Sequence, residues 1–427
     1  MVSVLHGDCI KESQRKSHRT THQQELSVFH NHHLSAILTI NPQITTMAIR
    51  ANLLYAALSL WLAHVTSAAV LPVLGTPHFD VAITTAALVD NDRLDPYAKD
   101  GRARTIVVSS FSPVKSCGKK QMVPYMPPAT AGFQDEKYAA YGLPNGTFRS
   151  LSLEACEKVD AKHSACSAAS LPVVLFSGAL STSRLIYNNI LQNVAAAGYL
   201  VVSIDHPYDS DIVEFPNGTV VTGVDIENDA DIALALATRV GDIAFVRQQM
   251  ANVTVTDMLF PGQMRGRRAP KTAAVGHSLG GAAVATVMLE DHTISAGLNL
   301  DGSMFGEVLT AGLDRPFMLM GHENKTQETD PSWKAIWPKL AGWKKEFEVK
   351  NSAHYSFSDL PLVVSVLGLS DKLPAEVSQV LGTIEGRHTT KIIARYTTSF
   401  LDMVFKSGSK RLLTSGDKEF PEVVVAA

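Results

Sequence analysis

The sequence predicts an α/β fold, a mostly parallel sheet with helices on both of its faces. Two features predict it. Short apolar runs of strand length alternate with longer stretches whose apolar residues recur every three to four positions, the rhythm of strand–helix–strand units. Between one such run, residues 272–275, and an Ala- and Val-rich helical stretch, residues 280–290, sits Gly276-His277-Ser278-Leu279-Gly280. A serine between two glycines on a strand-to-helix turn is expected to be strained, with no room for a Cβ at either glycine. That geometry lifts the Ser278 hydroxyl clear of the sheet at a helix N-terminus. There the Leu279 N–H points at negative charge developing beside it. Ser278 is therefore the candidate nucleophile.

The other elements follow in order. Residues 79–89 and 104–114 are rich in β-branched residues and read as strands, joined by a turn-rich link at 90–97. Residues 115–170 show little periodicity and several prolines and glycines, the pattern of a long insertion with little regular structure. From residue 171 the rhythm is regular. Strands at 171–176 and 199–204 flank a helix at 183–197 that ends at Gly198. A hairpin turns at Asn217-Gly218. Residues 229–250 set Ile232, Leu236, Val240, Ile243, Val246 and Met250 on one helical face. Beyond the serine turn come strands at 296–300, 316–320 and 347–349 and a last helix at 389–405. Trp333, Ile336, Trp337, Leu340 and Trp343 recur at helical spacing and read as core packing rather than a membrane-docking face, with Pro338 ending that helix. No internal repeat is present, so residues 70–427 read as one domain.

Of 427 residues, 45% are hydrophobic and 19% charged, ordinary for a globular protein. The net charge of −3 gives no reason to expect nucleic acid. The basic cluster at 265–271 reads as a solvated face, able at most to touch a lipid surface transiently. Cys9, Cys117, Cys156 and Cys166 fit no zinc spacing, and neither metal nor cofactor is expected. The short intervening loop favours a Cys156–Cys166 disulfide. Residues 1–46 are polar, with His30, His32 and His33 clustered, and read as a disordered extension or as sequence upstream of the true start, Met47. A basic Met47-Ala-Ile-Arg50, an apolar run at 53–65 and small residues at 66–69 make residues 47–69 a signal peptide. The rival reading is a membrane anchor formed by the same segment. Glycosylation sequons at Asn145, Asn217, Asn252 and Asn324 all follow it, as in a secreted glycoprotein.

A lone serine hydroxyl is a weak nucleophile near neutral pH and needs a base, which in turn needs an orienting acid. On turns of this type the acid and then the histidine follow the serine, each after a strand. His354 comes directly after the strand at 347–349, where the base belongs. His292 and His388 read as surface residues, and His322 comes too early. Asp301, after the first strand beyond the serine, and Glu323, after the second, are equally placed as the acid. The second oxyanion donor belongs to the loop Ser177-Gly-Ala-Leu-Ser-Thr-Ser-Arg184. It is the N–H of Leu180, with that of Ala179 as its alternative.

Five segments together resemble the secreted platelet-activating factor acetylhydrolase family of α/β-hydrolases, fungal members included. They are Leu171-Pro-Val-Val-Leu-Phe-Ser with Ser183-Arg-Leu-Ile-Tyr, Val201-Val-Ser-Ile-Asp-His-Pro, Gly276-His-Ser-Leu-Gly-Gly-Ala, Leu298-Asn-Leu-Asp-Gly-Ser-Met-Phe and Ser352-Ala-His-Tyr-Ser-Phe-Ser-Asp. The resemblance spans roughly residues 75–405. It implies Ser278 as nucleophile, Asp301 rather than Glu323 as acid, His354 as base and Leu180 as oxyanion residue. It also implies calcium-independent release of short acyl groups, such as acetyl, from the sn-2 position of phospholipids. One departure stands out: the family usually has Ser-His-Gly-Leu-Gly where this chain has Ser177-Gly-Ala-Leu-Ser181. The alternatives are a general carboxylesterase or lipase and, in another class, a silent hydrolase fold used for binding.

Overall fold

The computed structural model describes residues 69–157, 171–261, 263–264 and 270–427. The extension at 1–46, the signal segment up to residue 68, Cys9, Cys166 and most of the basic cluster lie outside them. Residues from Ala68 to Ala427 form one compact unit. Among the described residues nine strands build the central sheet. They are β1 (Asp80–Leu94), β2 (Ala103–Val114), β3 (Val173–Ser177), β4 (Leu200–Asp205), β5 (Thr272–His277), β6 (Ile294–Leu300), β7 (Phe317–His322), β8 (Lys344–Val349) and β9 (Val423–Val425). Their order across the sheet is β1-β2-β4-β3-β5-β6-β7-β8-β9. Strands β3 to β8 run parallel, while β2 and β9 run against them at the two sides and β1 pairs antiparallel with β2 at the edge. The chain winds outward from β3 in one direction and then from β5 in the other. The crevice at the carboxyl ends of those two strands is where such sheets place their sites.

Both faces of the sheet are covered, so its inner strands carry apolar residues in both directions. In β3, Val174 and Phe176 pack into one core while Val173 and Leu175 pack into the other. The first core is closed by α2 (Asn188–Ala196) and α5 (Gly386–Phe405), the second by α3 (Asp229–Gln249) and α4 (Leu279–Glu290). Helix α3 is capped by Asn228, whose side chain accepts the N–H groups of Ala230 and Asp231 at 3.0 Å. Helix α2 takes its cap from far along the chain. The Asp359 carboxylate accepts Asn189 N–H at 2.7 Å and Ile190 N–H at 3.0 Å, which ties the segment after His354 to the helix after β3. Trp333 and Ile336 are fully buried, so that stripe is core, as read from the sequence. No described helix is long and apolar enough to cross a membrane.

Three expectations are corrected. Strand β1 runs on through the supposed link to Leu94, bulging near Asp90, because Arg93 reaches the Asp90 carboxylate at 2.6 Å and Asp242 at 2.9 Å. The turn falls instead at Asp95–Arg102, where Asp95 N–H donates to the Arg102 carbonyl at 3.0 Å. The segment after residue 115 is structured as far as described. It contains a strand at Lys120–Pro124, helix α1 (Pro128–Ala139) and a strand at Leu151–Cys156. The last strand pairs with Lys120–Pro124 and, in parallel, with Ala69–Leu71. The prolines that read as breakers begin the helix, where a missing N–H costs nothing. Finally, Cys156 bonds to Cys117, not to Cys166, with Cα atoms 5.5 Å apart across 39 residues. The pairing follows from the sheet: Lys120 lies opposite Cys156, which brings the chain just before it alongside.

Closing a loop of that length stabilises the fold by about 3–4 kcal/mol. Replacing Cys117 with serine should lower the melting temperature by several degrees, read by calorimetry. Peptide mapping without reduction should recover Cys117 linked to Cys156. A Cys156–Cys166 peptide, or an unchanged melting temperature, would contradict the assignment.

Candidate active site

Ser278 stands between β5 and α4 at φ 57° and ψ −124°, a conformation costing about 1–3 kcal/mol for a residue with a Cβ. Packing forces it. A Cβ on Gly276 would strike the Gly280 carbonyl group, one on Gly280 would strike the Ser177 carbonyl oxygen, and one on Gly302 would strike that of Ser278. Ser278 N–H donates to the Leu300 carbonyl at 2.9 Å, binding the turn to the end of β6. Leu279 opens the helix, so its N–H belongs to the first turn, which has no partner within the helix. Ser278 itself is neither buried nor fully exposed.

Asp301 follows β6 in a left-handed conformation, φ 60°, and is fully buried. Its Oδ2 accepts from His354 Nδ1 at 2.5 Å. Its Oδ1 accepts from His322 Nδ1 at 2.6 Å and from the His322 backbone N–H at 2.9 Å. Burial alone would raise the pKa of this carboxyl. The hydrogen bonds from His322 and His354 outweigh burial and hold it well below the usual carboxylate range. The bond at Nδ1 fixes the imidazole of His354 and leaves Nε2 as the nitrogen for proton transfer. Glu323 points elsewhere, accepting Asn351 N–H at 3.2 Å. His292 is exposed and His388 pairs with Glu422 at 3.1 Å, as surface residues do. His322 is the residue whose part was missed. Its ring bonds one oxygen of the Asp301 carboxylate while His354 bonds the other. The signal for it was its position at the end of β7, directly beside the Asp301 strand.

A buried chain of polar groups joins the loop after β3 to His354. Ala179 N–H donates to the Tyr187 hydroxyl at 3.0 Å, and that hydroxyl contacts His277 Nδ1 at 2.9 Å. His277 Nε2 lies 2.9 Å from the His354 carbonyl oxygen. The carbonyl can only accept, so Nε2 carries the proton and Tyr187 donates to Nδ1. Burial keeps the Tyr187 phenol protonated. Burial, reinforced by His354, pushes the His277 pKa down and keeps this ring neutral. Ala179 N–H is thus occupied, while the Leu180 N–H meets no partner among the described residues. A Cβ at Gly178 would come within 2.7 Å of the Tyr187 ring. Ser181, where the family has glycine, is left-handed at φ 52°.

This fold, with a strained serine at the switch point of the sheet and an Asp–His pair beside it, defines an esterase of the α/β-hydrolase class. Residues 142–222 and 241–409 match the family described as platelet-activating factor acetylhydrolase, isoform II. The chain belongs to that family. It is 30% identical over 342 residues to a protein named probable 1-alkyl-2-acetylglycerophosphocholine esterase from Arthroderma benhamiae, covering 75% of this chain and 85% of that one. It is 25% identical over 239 residues to the platelet-activating factor acetylhydrolase of Cavia porcellus, 49% of this chain and 54% of that one. Among solved structures, a ferulic acid esterase from Streptomyces cinnamoneus superposes with a TM-score of 0.69 at 25% identity, covering 84% of this chain and 100% of that one.

The neutral His277 has a measurable consequence. Its pKa is lower folded than unfolded, so as pH falls below about 6.5 the unfolded chain takes up a proton that the folded one refuses. The stability it contributes is present above that pH and lost below it. Asp359, pushed up to about 7 by burial, acts in the opposite sense, so the whole stability curve is ambiguous. The difference between the parent and His277→Asn isolates the ring. It should be largest above pH 6.5 and shrink towards pH 5 in urea titrations; a difference independent of pH would sink the assignment.

Proposed function

We propose that this protein is a secreted serine esterase that releases a short sn-2 acyl group, acetyl above all, from phospholipids of the platelet-activating factor kind. The observation that carries the mechanism is the Asp301–His354 bond set beside Ser278 on its strained turn. Family membership and the names of the two relatives support the substrate class. Ser278 Oγ attacks the ester carbonyl while His354 Nε2 takes its proton. The N–H groups of Leu180 and Leu279 receive the oxyanion. His354 then protonates the departing lysophospholipid oxygen, leaving the acyl group on Ser278. Water, deprotonated by the same imidazole, releases the acid. Asp301 stays ionised throughout and stabilises the imidazolium formed in each half. The sugar-acceptor asparagines Asn145, Asn217, Asn252 and Asn324 are all exposed, which supports export, as does the signal segment at 47–69. The partner is a lipid ester, met in transient contact with a lipid surface.

Ser278→Ala should lower kcat on an acetyl ester by at least about 10⁴-fold, and Asp301→Asn by about 10⁴-fold, with little change in KM. Full activity in Ser278→Ala would end the mechanism. Across a series of phospholipids, kcat/KM should fall steeply as the sn-2 chain grows beyond acetyl. Equal turnover of a palmitoyl chain would favour the general lipase reading instead. N-terminal sequencing of the exported protein should start near residue 70, and a start upstream of Met47 would overturn the signal-peptide reading.

A further inference from the structure

Beneath the oxyanion loop lies a buried polar cluster that no step of the reaction uses. Ser177 Oγ is 2.9 Å from His206 Nε2, and His206 Nδ1 is 2.9 Å from Asp242 Oδ2. This is the bonding order of a second serine–histidine–aspartate chain. It is no second active site, because these residues are exposed by 1%, 1% and 0%. Its serine is also engaged from the other side, where Arg239 Nη1 donates to Ser177 Oγ at 3.1 Å. Arg239, itself buried, goes on to donate to the Gly178 carbonyl at 2.5 Å and the Ala179 carbonyl at 3.0 Å. The Asp209 carboxylate receives the rest of the guanidinium, at 2.6 Å from Nε and 2.5 Å from Nη2. The Asp209 backbone carbonyl accepts Ser181 N–H at 3.1 Å.

We propose that Arg239 is the positioning residue of the oxyanion hole, setting the direction of the Leu180 N–H by holding the carbonyls of the two peptides before it. The proposal rests on Leu180 as oxyanion donor. In a trans peptide the C=O and the next N–H point in opposite directions, and no cis peptide bond occurs among the described residues. The Gly178 carbonyl faces Arg239, so Ala179 N–H must face away, and there it meets Tyr187. The Ala179 carbonyl also faces Arg239, so Leu180 N–H must face away in its turn, and Leu180 is only partly buried. Only a planar fork of donors can hold two successive carbonyls, a hydroxyl and a carboxylate at once, and a lysine ammonium cannot. His206 completes the brace. Burial and the neighbouring Arg239 push its pKa down, so the ring is neutral. With its proton on Nδ1 facing Asp242, it accepts the Ser177 hydroxyl proton at Nε2 and leaves the Ser177 oxygen turned to Arg239.

The test is steady-state kinetics on a soluble acetyl ester, with kcat expressed per active site titrated by a fluorophosphonate so that misfolded protein does not count. The parent must titrate and turn over; failure there refutes the esterase reading itself and is separate from the outcome for Arg239. Arg239→Lys should titrate yet lose about 100-fold in kcat, the size of a lost oxyanion donor, with KM within about twofold. Added guanidinium ion should restore part of the kcat of Arg239→Ala. If both variants fail to fold, Asp209→Asn, which keeps the shape and removes the counter-charge, should lower kcat per titrated site about tenfold. Parent-like kcat per site in whichever variants fold, or kcat and KM worsening together without guanidinium rescue, overturns the proposal.

Discussion

At Ser278 the backbone is bent to φ 57° because strand, turn and helix are packed too closely for any other path. The carbonyl groups of Ser177, Ser278 and Gly280 each lie where a single extra carbon on a neighbouring glycine would have to go. Three glycines therefore carry the close approach, and the one residue with a side chain must accept the strain. The consequence is positional. Around this turn stand Asp301 after β6, His322 at the end of β7 and His354 after β8.

The remaining groups are fixed by buried polar contacts rather than by apolar packing. Ala179, Tyr187, His277 and the His354 carbonyl form an unbroken run of donors and acceptors from the loop after β3 to the segment after β8. Asp359 ties the chain just beyond His354 to helix α2. In a low-dielectric interior each of these bonds is costly to break and leaves an unsatisfied partner behind. Loops that are far apart in sequence are thus held in register by a few side chains, and Asp301 is gripped by two histidines rather than one. The site is stiff because its polar groups have no alternative partners.

Much of this was legible in the sequence, because it was written in periodicity. The inner strands are runs of Val, Leu and Phe that only a doubly covered sheet needs, and the stripe of α3 was visible from Ile232 to Met250. The Gly-x-Ser-x-Gly turn and the histidine after the last parallel strand were likewise local patterns. Strand position alone left the acid open, since Asp301 and Glu323 both end strands; the family resemblance pointed to Asp301, and it is Asp301 that bonds His354 while Glu323 bonds Asn351. The sheet formed by Lys120–Pro124 and Leu151–Cys156 was hidden because its strands are short and the first is mostly exposed, so neither alternation nor a long apolar run announces it. Its disulfide was misread because separation along the chain was taken for separation in space. Arg239 and Asp242 did leave a trace. They fall on the same helical face as Ala235 and Val246, where charge is out of place unless it is paired.

Ser181 carries one further implication. Its left-handed backbone would suit a glycine, and glycine is what the family usually has there. A glycine would reach this shape without penalty but would also visit many others while unliganded. The serine narrows those choices, and the energy it adds is absorbed when the chain folds. Such a loop has little left to organise when an ester arrives. It also keeps little freedom to change shape once the chain has folded.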